Sequence, residues 1–305
     1  MCAVMYVWLN GEFVDRDAAQ VSIFDAGFQH GVGLFETMLA RNGKIFRVES
    51  HLRRLANSAK ELLLSERLRI EPLIEAVNPT LTRNELDQAR VRLTITGGDL
   101  SASPGAGTGP IDPTILIVAQ PPTNYPAAFF TKGVMAMIAD GRENPLHPMA
   151  GHKTLNYWPR IRALQIASAR RAGEALWFTV SNHLACGCVS NVFVVKDGEL
   201  LTPIAHGEEE PGSIAAPVLP GITRAAILEL AQGMDLQVRR AMFDINELLR
   251  AQEVFLTNSS WGVLPVVAVE REQIGQGQPG PITLELRQAW LDLVEQETAF
   301  DASLE

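Results

Sequence analysis

The segment Gly151-His152-Lys153-Thr154-Leu155-Asn156-Tyr157 decides the class of this chain. Lys153 is the only lysine between positions 132 and 196, and it directly precedes an apolar segment predicted as a helix over about 155–172. A lysine at such a place can be partly desolvated, which lowers the pKa of an amine and makes it a Schiff-base nucleophile. From its position alone, Lys153 is better explained as a solvated lysine at a helix start than as a nucleophile. Other segments of the sequence therefore have to decide between these two interpretations.

Two later segments and one earlier arginine offer groups suited to a phosphate. The stretch Leu219-Pro220-Gly221-Ile222-Thr223-Arg224 predicts a turn followed by a helix that Thr223 caps. The free N–H groups and the dipole of such a helix start favour a bound phosphate. A predicted strand over 254–257 ends in Asn258-Ser259-Ser260, which supplies short donors. Arg54 offers the guanidinium fork that an anion prefers. Each of these elements is common on its own in caps, loops and surfaces.

Together these segments resemble the fold-type IV pyridoxal-phosphate enzymes, which include branched-chain and D-amino-acid aminotransferases and aminodeoxychorismate lyases. The resemblance covers nearly the whole chain, from Val7-Trp8-Leu9-Asn10-Gly11 to Leu264-Pro265-Val266. One motif would be weak evidence, whereas six in the family's order are strong. The six are a glycine-rich segment leading into Phe35-Glu36-Thr37, then His51-Leu52-Arg53-Arg54-Leu55, Lys153-Thr154-Leu155-Asn156-Tyr157, Val189-Ser190-Asn191-Val192-Phe193, Leu219-Pro220-Gly221-Ile222-Thr223-Arg224, and the stretch 257–266.

The resemblance implies pyridoxal 5'-phosphate as the cofactor and assigns roles to the matching residues. Lys153 matches the lysine that forms the Schiff base and moves the substrate's α-proton, and Arg54 matches the phosphate-binding arginine. Tyr157 matches, across a one-residue gap, a tyrosine near the cofactor's phenolic oxygen. The remaining implied cofactor contacts are the backbone N–H groups of Ile222 and Thr223 at the phosphate, with Asn258 and Ser259 at a second phosphate loop.

Cys186 departs from the family pattern. The family usually reads Ala-Glu-Gly before its Ser-Asn-hydrophobic strand, and here Leu184-Ala185-Cys186-Gly187-Cys188 occupies that stretch. Cys186 therefore stands where a glutamate pairs with the pyridine nitrogen and keeps it protonated, which strengthens the ring as an electron sink. An unperturbed thiol is mostly neutral at pH 7 and a weak partner. Slow or altered chemistry, a thiolate stabilised by the pyridinium, and a degenerate site all remain open.

Composition excludes several other classes of protein. The 305 residues suggest about two domains, and 47 % hydrophobic with 20 % charged residues is typical of globular chains. A net charge of −9 argues against a nucleic-acid surface. No apolar run reaches the roughly 18 residues of a membrane span, and the start does not resemble a signal peptide. The chain has three cysteines, which favours a reducing cytoplasm. Their spacing is not that of zinc ligands, which argues against a bound metal.

We expect a mixed α/β fold of the α+β class in two domains. The three prolines of Gln-Pro-Pro-Thr-Asn-Tyr-Pro at 120–126 interrupt both helix and sheet, so residues 121–130 are the predicted linker. They separate a small N-terminal α/β domain at 1–120 from a larger domain at 131–305. The resemblance makes the larger domain a pseudobarrel that binds the cofactor, and it implies a homodimer. Residues 97–110 are predicted as a flexible lid or hairpin tip, and 206–217 as a surface loop.

The predicted function is amino transfer between an amino acid or amine and a 2-keto acid through a Lys153 Schiff base, with ping-pong kinetics. Phe35-Glu36-Thr37 is also similar to lyase and D-amino-acid enzymes. The first alternative is therefore an aminodeoxychorismate-lyase-like enzyme that releases pyruvate. The second is a weak or inactive cofactor-binding relative, marked by Cys186.

Three aromatic residues and two arginines are candidates for contacts with the substrate. Phe28, Phe35 and Trp261 would suit a hydrophobic substrate, with Phe35 and Trp261 as the predicted pocket residues, although aromatic side chains are more often plain core. Arg142 and Arg160 are able to bind carboxylates, but we interpret both as solvent-facing. The partners expected are therefore small amino and keto acids.

Overall fold

The computed structural model describes residues 5–66, 68–99 and 112–299. They divide into two compact units. The first unit contains the described residues of Met1–Thr123, His152–Asn156 and Val294–Glu305, and the second contains Asn124–Gly151 and Tyr157–Leu293. The first division falls after Thr123, within the stretch predicted as a linker. The predicted boundaries assign residues 152–156 and the C-terminal segment to the larger domain, whereas here they belong to the first unit.

The first unit is built on a six-stranded antiparallel sheet and three helices. The strands are β1 (Tyr6–Leu9), β2 (Glu12–Asp15), β3 (Gly33–Arg41), β4 (Lys44–Ile45), β5 (Ala89–Thr96) and β6 (Ile115–Gln120), and the helices are α1 (Ala26–His30), α2 (Val48–Glu61) and α3 (Glu71–Arg83). The sheet order is β2-β1-β6-β5-β3-β4. Alternate residues of β3, such as Leu34 and Met38, are buried in one cluster with Leu52 and Leu55 of α2.

Two Asn-Gly pairs form the hairpin turns of the first unit. Asn10 and Gly11 join β1 to β2, and Asn42 and Gly43 join β3 to β4, with φ of 49° and 104° in the first turn and 51° and 70° in the second. Positive φ at both central residues is the conformation of a type I′ turn, which asparagine and glycine adopt at low cost.

The second unit is built on a nine-stranded mixed sheet. Its strands are β7 (Val134–Glu143), β8 (Glu174–Thr179), β9 (Leu184–Gly187), β10 (Asn191–Lys196), β11 (Glu199–Thr202), β12 (Val238–Arg240), β13 (Glu253–Asn258), β14 (Gly262–Val269) and β15 (Glu272–Gln273). Its helices are α4 (Ala128–Thr131), α5 (Trp158–Ala169), α6 (Ile222–Gly233), α7 (Ile245–Leu249) and α8 (Pro281–Thr298), of which the last turn belongs to the first unit. The order is β12-β11-β10-β13-β14-β7-β8-β9, with β15 on β14. The predicted mixed α+β fold is confirmed.

Two local predictions were wrong in detail. The helix predicted over 155–172 begins only at Trp158, because residues 153–155 pair with β3 instead. The predicted cap Thr223 lies inside α6, whose N-cap is Gly221. The predicted surface loop 206–217 is confirmed, since it contains no helix or strand and most of its residues are exposed; its Glu208 accepts two hydrogen bonds from the buried Arg224 at 2.7 and 2.8 Å. Most of the predicted lid at 97–110 lies outside the described residues.

None of the helices in the described ranges combines the length and the apolar character that crossing a bilayer requires.

Candidate active site

Lys153 is held in an extended segment along the edge of β3 in the first unit. Phe35 N–H donates to Lys153 O at 3.0 Å, and Leu155 N–H donates to Gly33 O at 2.9 Å. Glycine is required at position 33, because a Cβ there would overlap Ile95 O and come within 2.7 Å of Leu155 Cδ1. The backbone bonds fix the place from which the lysine side chain starts, and the Lys153 Nζ lies 4.2 Å from the centroid of the Phe35 ring.

The ring of Phe35 attracts a second cation, which sequence reasoning missed. Arg92 Cζ lies 3.8 Å from the centroid of the same ring, and the Phe35 residue is only 5 % exposed. Arg92 is the β5 partner of Thr37, so strand alternation places it on the Phe35 side of the sheet. Each cation interacts favourably with the ring, but the two cations repel each other.

The opposite face of β3 carries a buried ionic cluster of Glu36, His51 and Arg54. Arg54 donates from Nε to Glu36 Oε1 at 2.9 Å and from Nη2 to Oε2 at 2.6 Å, and His51 Nδ1 lies 2.8 Å from Oε2. The side chains of Glu36 and His51 are 1 % exposed and that of Arg54 is 11 % exposed. Two parallel bonds to one carboxylate give the guanidinium a fixed orientation. The predicted phosphate-binding arginine is thus positioned by a carboxylate to which no role had been assigned.

The pKa values in this cluster follow from burial and pairing. Burial alone would raise the pKa of Glu36, but the charge of Arg54 and the hydrogen bond from His51 outweigh it and hold that pKa at about 2. For His51, burial is the largest influence and lowers the pKa despite the neighbouring carboxylate. The cluster at neutral pH is therefore an ionised Glu36, a charged Arg54 and a neutral His51.

Protonation of Glu36 should make the first unit lose stability in acid. Its pKa is lower in the folded state than the ordinary value of 4.5, so the stabilisation is fully present above about pH 4.5 and is lost as the pH falls toward 2. The lowered pKa of His51 acts in the same direction, because the unfolded chain binds its proton first. We expect the free energy of unfolding, measured with denaturant over a pH series, to fall through this window. A Glu36→Gln variant should show a flatter profile, and equal slopes for the two proteins would refute this assignment.

The first turn of α6, in the second unit, has the form of an anion cradle. Gly221, the N-cap, is extended with φ −67° and ψ 139°, and it provides no side-chain cap to the N–H groups of Ile222 and Thr223. Asn191 Nδ2 donates to Leu219 O at 2.8 Å, and a Cβ on residue 221 would overlap Asn191 Oδ1. The turn is therefore held tightly while the N–H groups of its helix remain suited to a phosphate.

The turn after β13 lies beside residues of the β9–β10 connection. Asn258 Oδ1 accepts hydrogen bonds from the N–H groups of Ser260 at 2.8 Å and Trp261 at 3.0 Å, and Asn258 Nδ2 donates to Val189 O at 3.2 Å. The side chain of Asn258 thus shapes the turn. The Ser259 hydroxyl makes no hydrogen bond within the described ranges, which leaves it the better donor of the two predicted residues for an anion.

Cys186 lies in a largely buried polar cluster that contains Arg160. Arg160 Nη1 is 3.5 Å from Cys186 Sγ, and Arg160 Nη2 pairs with Glu143 Oε1 at 2.6 Å. The interpretation of Arg160 as solvent-facing was wrong, since its side chain is only 23 % exposed. Tyr157 Oη donates to Cys188 O at 2.9 Å, and burial raises the pKa of Tyr157 to about 12.

Glu174 is a fully buried carboxylate that organises the turn after Cys186. It accepts hydrogen bonds from the N–H groups of Ala175, Cys188 and Val189 at 3.0, 3.2 and 3.3 Å, and from Ser190 Oγ at 3.0 Å. Burial raises the pKa of Glu174 in spite of these donors. Sequence reasoning missed it, although a glutamate opening the apolar run Ala175-Leu176-Trp177-Phe178 was a usable signal.

The aromatic residues expected near the substrate have separate surroundings. Phe35 lies beside Lys153, as described above. Trp261 is 9 % exposed and belongs to the core of the second unit, where it packs edge-on against Tyr125 with ring centroids 5.6 Å apart. Phe28 is 75 % exposed. Of these three aromatic residues, the structure therefore brings Phe35 into contact with the predicted catalytic lysine within the first unit.

Each unit by itself carries groups that suit a part of pyridoxal phosphate. In the second unit, the uncapped helix start and the Ser259 hydroxyl suit a phosphate. In the first unit, the lysine on an aromatic ring suits an aldehyde. Position 186, for which the resemblance implies a glutamate at the pyridine nitrogen, holds the Cys186 thiol, and Arg160 contacts this thiol.

Comparison with known proteins assigns the family. Residues 33–269 match the family described as amino-transferase class IV, so the chain belongs to it. The branched-chain-amino-acid aminotransferase of Escherichia coli K12 is 32 % identical over 305 residues, which cover 96 % of this chain and 94 % of that protein. The resemblance drawn from the six sequence motifs is therefore confirmed.

Solved structures agree with this assignment. The E. coli branched-chain aminotransferase aligns with a TM-score of 0.85 at 29 % identity, covering 98 % of both chains. A second branched-chain aminotransferase, from T.th. and solved with pyridoxamine 5'-phosphate, aligns with a TM-score of 0.83 at 26 % identity over 95 % of this chain and 94 % of its own. The 4-amino-4-deoxychorismate lyase of Pseudomonas aeruginosa gives a TM-score of 0.78 at 27 % identity over 96 % of this chain and 100 % of its own.

Proposed function

We propose that this class IV aminotransferase moves an amino group between an amino acid and a 2-keto acid by way of a Schiff base on Lys153. The cofactor is pyridoxal 5'-phosphate, which class IV aminotransferases use. The observation that carries the proposal is the fixed place of Lys153, whose backbone pairs with β3 and whose amine lies on the Phe35 ring. A branched-chain amino acid is the first substrate to test, because the E. coli relative is a branched-chain aminotransferase.

The proposed division of labour follows from the local chemistry of each group. When bound, the cofactor supplies the electron sink that makes the substrate's α-hydrogen acidic. Lys153 Nζ is the base that takes this proton from Cα and would deliver it to the cofactor carbon that carried the aldehyde, on the other side of the amino nitrogen. Arg54, Ile222, Thr223 and Ser259 hold the phosphate, with Arg54 oriented by Glu36. Tyr157 lies in the same polar cluster as Cys186, and its hydroxyl, which donates to Cys188 O here, would turn to the phenolic oxygen when the cofactor is bound.

The reaction is tested by following both halves of the amino transfer. The purified protein with pyridoxal phosphate is mixed with one amino acid, and the corresponding keto acid is measured before any acceptor is added. Ping-pong kinetics predicts one equivalent of keto acid per site in this first half and continued turnover only after a second keto acid is supplied. Turnover that never requires an acceptor would contradict amino transfer.

A lyase activity is the second candidate. It is favoured by the alignment with the P. aeruginosa 4-amino-4-deoxychorismate lyase, which covers 100 % of that chain. The same experiment separates the two functions, because a lyase releases pyruvate from aminodeoxychorismate continuously and without an acceptor.

Removal of the Ser259 hydroxyl should weaken cofactor binding. A hydrogen bond to a charged group contributes about 1.5–3 kcal/mol, so we expect Ser259→Ala to raise the dissociation constant for pyridoxal phosphate roughly 10- to 100-fold. Fluorescence titration of the apoprotein measures this constant. Ser213→Ala, in an exposed turn, is the matched control and should change nothing. Equal affinities for the two variants would remove Ser259 from the phosphate site.

We also propose a cytoplasmic homodimer. Cys186 and Cys188 are buried free thiols, which suits a reducing compartment. The first unit exposes an apolar patch within residues 21–32, where Val21, Ile23, Phe24, Phe28 and Val32 are 43–75 % exposed. Patches of this kind mark association surfaces.

A charge in the 21–32 patch should weaken the dimer. We expect Phe28→Asp to shift the mass measured by light scattering from dimer toward monomer at a protein concentration where the wild type stays dimeric. Leu63→Asp is the control, because Leu63 is 82 % exposed in the same unit but outside the patch. If Phe28→Asp keeps the wild-type mass, the dimer surface lies elsewhere.

A further inference from the structure

The charged group in contact with Cys186 is a guanidinium, which is fixed on several sides. Arg160 Nη1 lies 3.5 Å from Cys186 Sγ and donates to Gly187 O at 2.9 Å and Cys188 O at 3.2 Å. Arg160 Nη2 pairs with Glu143 at 2.6 Å. Cys186 is itself only 4 % exposed. A positive charge is thus built into the position where the family resemblance leads one to expect a negative one.

The carboxylates of the same cluster are directed to other groups. Glu143 pairs with Nη2 of Arg160, whereas the other terminal nitrogen, Nη1, contacts the thiol. Both oxygens of Glu174 accept hydrogen bonds from the backbone or from Ser190, and these bonds hold the turn 187–190. Burial raises the pKa of Cys186, although Arg160 opposes that shift. The thiol therefore keeps its proton at neutral pH and is available as an S–H donor.

We infer that Cys186 and Arg160 bind the pyridine nitrogen of the cofactor in its unprotonated form, with the thiol donating to that nitrogen and the guanidinium donating to Sγ. This inference rests on the proposed function, since it takes position 186 as the partner of the ring nitrogen. A protonated nitrogen would place a second positive charge next to the Arg160 guanidinium, whose single charge Glu143 already balances, and this is unfavourable. Arginine is one of the groups that enzymes use opposite this nitrogen.

The arrangement changes what the ring contributes to the reaction. An unprotonated pyridine withdraws less electron density than a pyridinium. Removal of the α-proton then depends more strongly on Lys153. Its amine must stay close to the substrate and correctly oriented throughout the proton transfer. Arg160 is in this sense a positioning residue, because it acts on the nitrogen through the Cys186 thiol.

Nitrogen NMR of the bound cofactor tests the inference without relying on activity. Pyridoxal phosphate labelled with ¹⁵N in the ring is loaded onto the wild type, Cys186→Ser, Cys186→Glu and the double variant Cys186→Glu/Arg160→Gln. We expect the wild type and Cys186→Ser to show the chemical shift of an unprotonated ring at neutral pH. The double variant should show the shift of a protonated ring. Cys186→Glu alone should shift less, because Arg160 would pair with the new carboxylate.

The outcomes separate this inference from the proposed function. A protonated ring in the wild type overturns the inference even if amino transfer on the same sample is normal. An unprotonated ring in a wild type that transfers no amino group contradicts the proposed function and leaves the inference supported. The double variant does not have to fold for the test to succeed. Free labelled cofactor gives the chemical shifts of the fully protonated and fully unprotonated ring. Comparison of the wild type and Cys186→Ser with these two shifts decides the protonation state.

Discussion

Replacement of Lys153 by alanine should abolish amino transfer while leaving the protein folded. The substitution removes both the nucleophile for the cofactor aldehyde and the base for the α-proton, and proton transfer by such a base alone contributes about 10²–10⁴-fold to the rate. We therefore expect a loss of roughly 10⁴-fold or more in kcat/KM. The cation–π contact with Phe35 that the variant loses contributes about 0.5–1 kcal/mol, which is small beside the stability of a folded domain.

The control for this variant is Lys132→Ala. Lys132 is exposed at the end of α4, so its removal changes the charge of the protein equally without touching the site. Thermal unfolding of both variants checks that the fold is retained. Residual activity within about 10-fold of the wild type in Lys153→Ala would mean that another group does this chemistry.

Replacement of Glu36 by alanine should have the largest effect on stability of any single ionic residue in the described part of the first unit. It leaves the Arg54 guanidinium buried without its bidentate partner and removes the hydrogen bond to His51. Breaking a buried pair on one side costs about 3–5 kcal/mol, since the remaining charge is uncompensated. Denaturant unfolding at neutral pH measures this change, and an Arg54 side chain without this carboxylate should also hold pyridoxal phosphate less firmly.

An exposed ion pair on α2 provides the comparison for Glu36. Glu49 pairs with Arg53 at 3.3 Å, but the two side chains are 63 % and 68 % exposed. Such pairs contribute about 0–1 kcal/mol, so Glu49→Ala should be nearly neutral. If Glu36→Ala destabilises the protein no more than Glu49→Ala does, the buried cluster is not what holds Arg54 in place.

The sequence predicts the fold class and the principal site residues because these follow from local patterns. Asn-Gly pairs favour hairpin turns through their own backbone preferences, and both such pairs in the first unit form hairpins. His51 and Arg54 lie three residues apart on α2 and so share a face, and β3 alternation directs Glu36 to the side opposite Phe35. The ionic cluster could have been anticipated by combining these two periodicities.

The parts that the sequence does not predict depend on contacts between distant segments. Arg160 is 26 residues from Cys186, and only the assembled second unit brings the guanidinium to the thiol. The pairing of residues 153–155 with β3 likewise delays the start of α5 and moves Lys153 into the first unit. The N-cap of α6 is Gly221 and not Thr223, because the side chain of Asn191 packs closely against the turn at Gly221. Asn191 lies on β10, so this contact joins segments that are distant in the sequence.

Borohydride trapping tests the central claim most directly. The protein is loaded with pyridoxal phosphate, its visible absorbance is recorded, and the sample is reduced, digested and analysed by mass spectrometry. We expect a visible Schiff-base band that reduction removes, with the phosphopyridoxyl group on the peptide that contains Lys153. A folded protein that shows no band with excess cofactor, or a label on a different lysine, would contradict it.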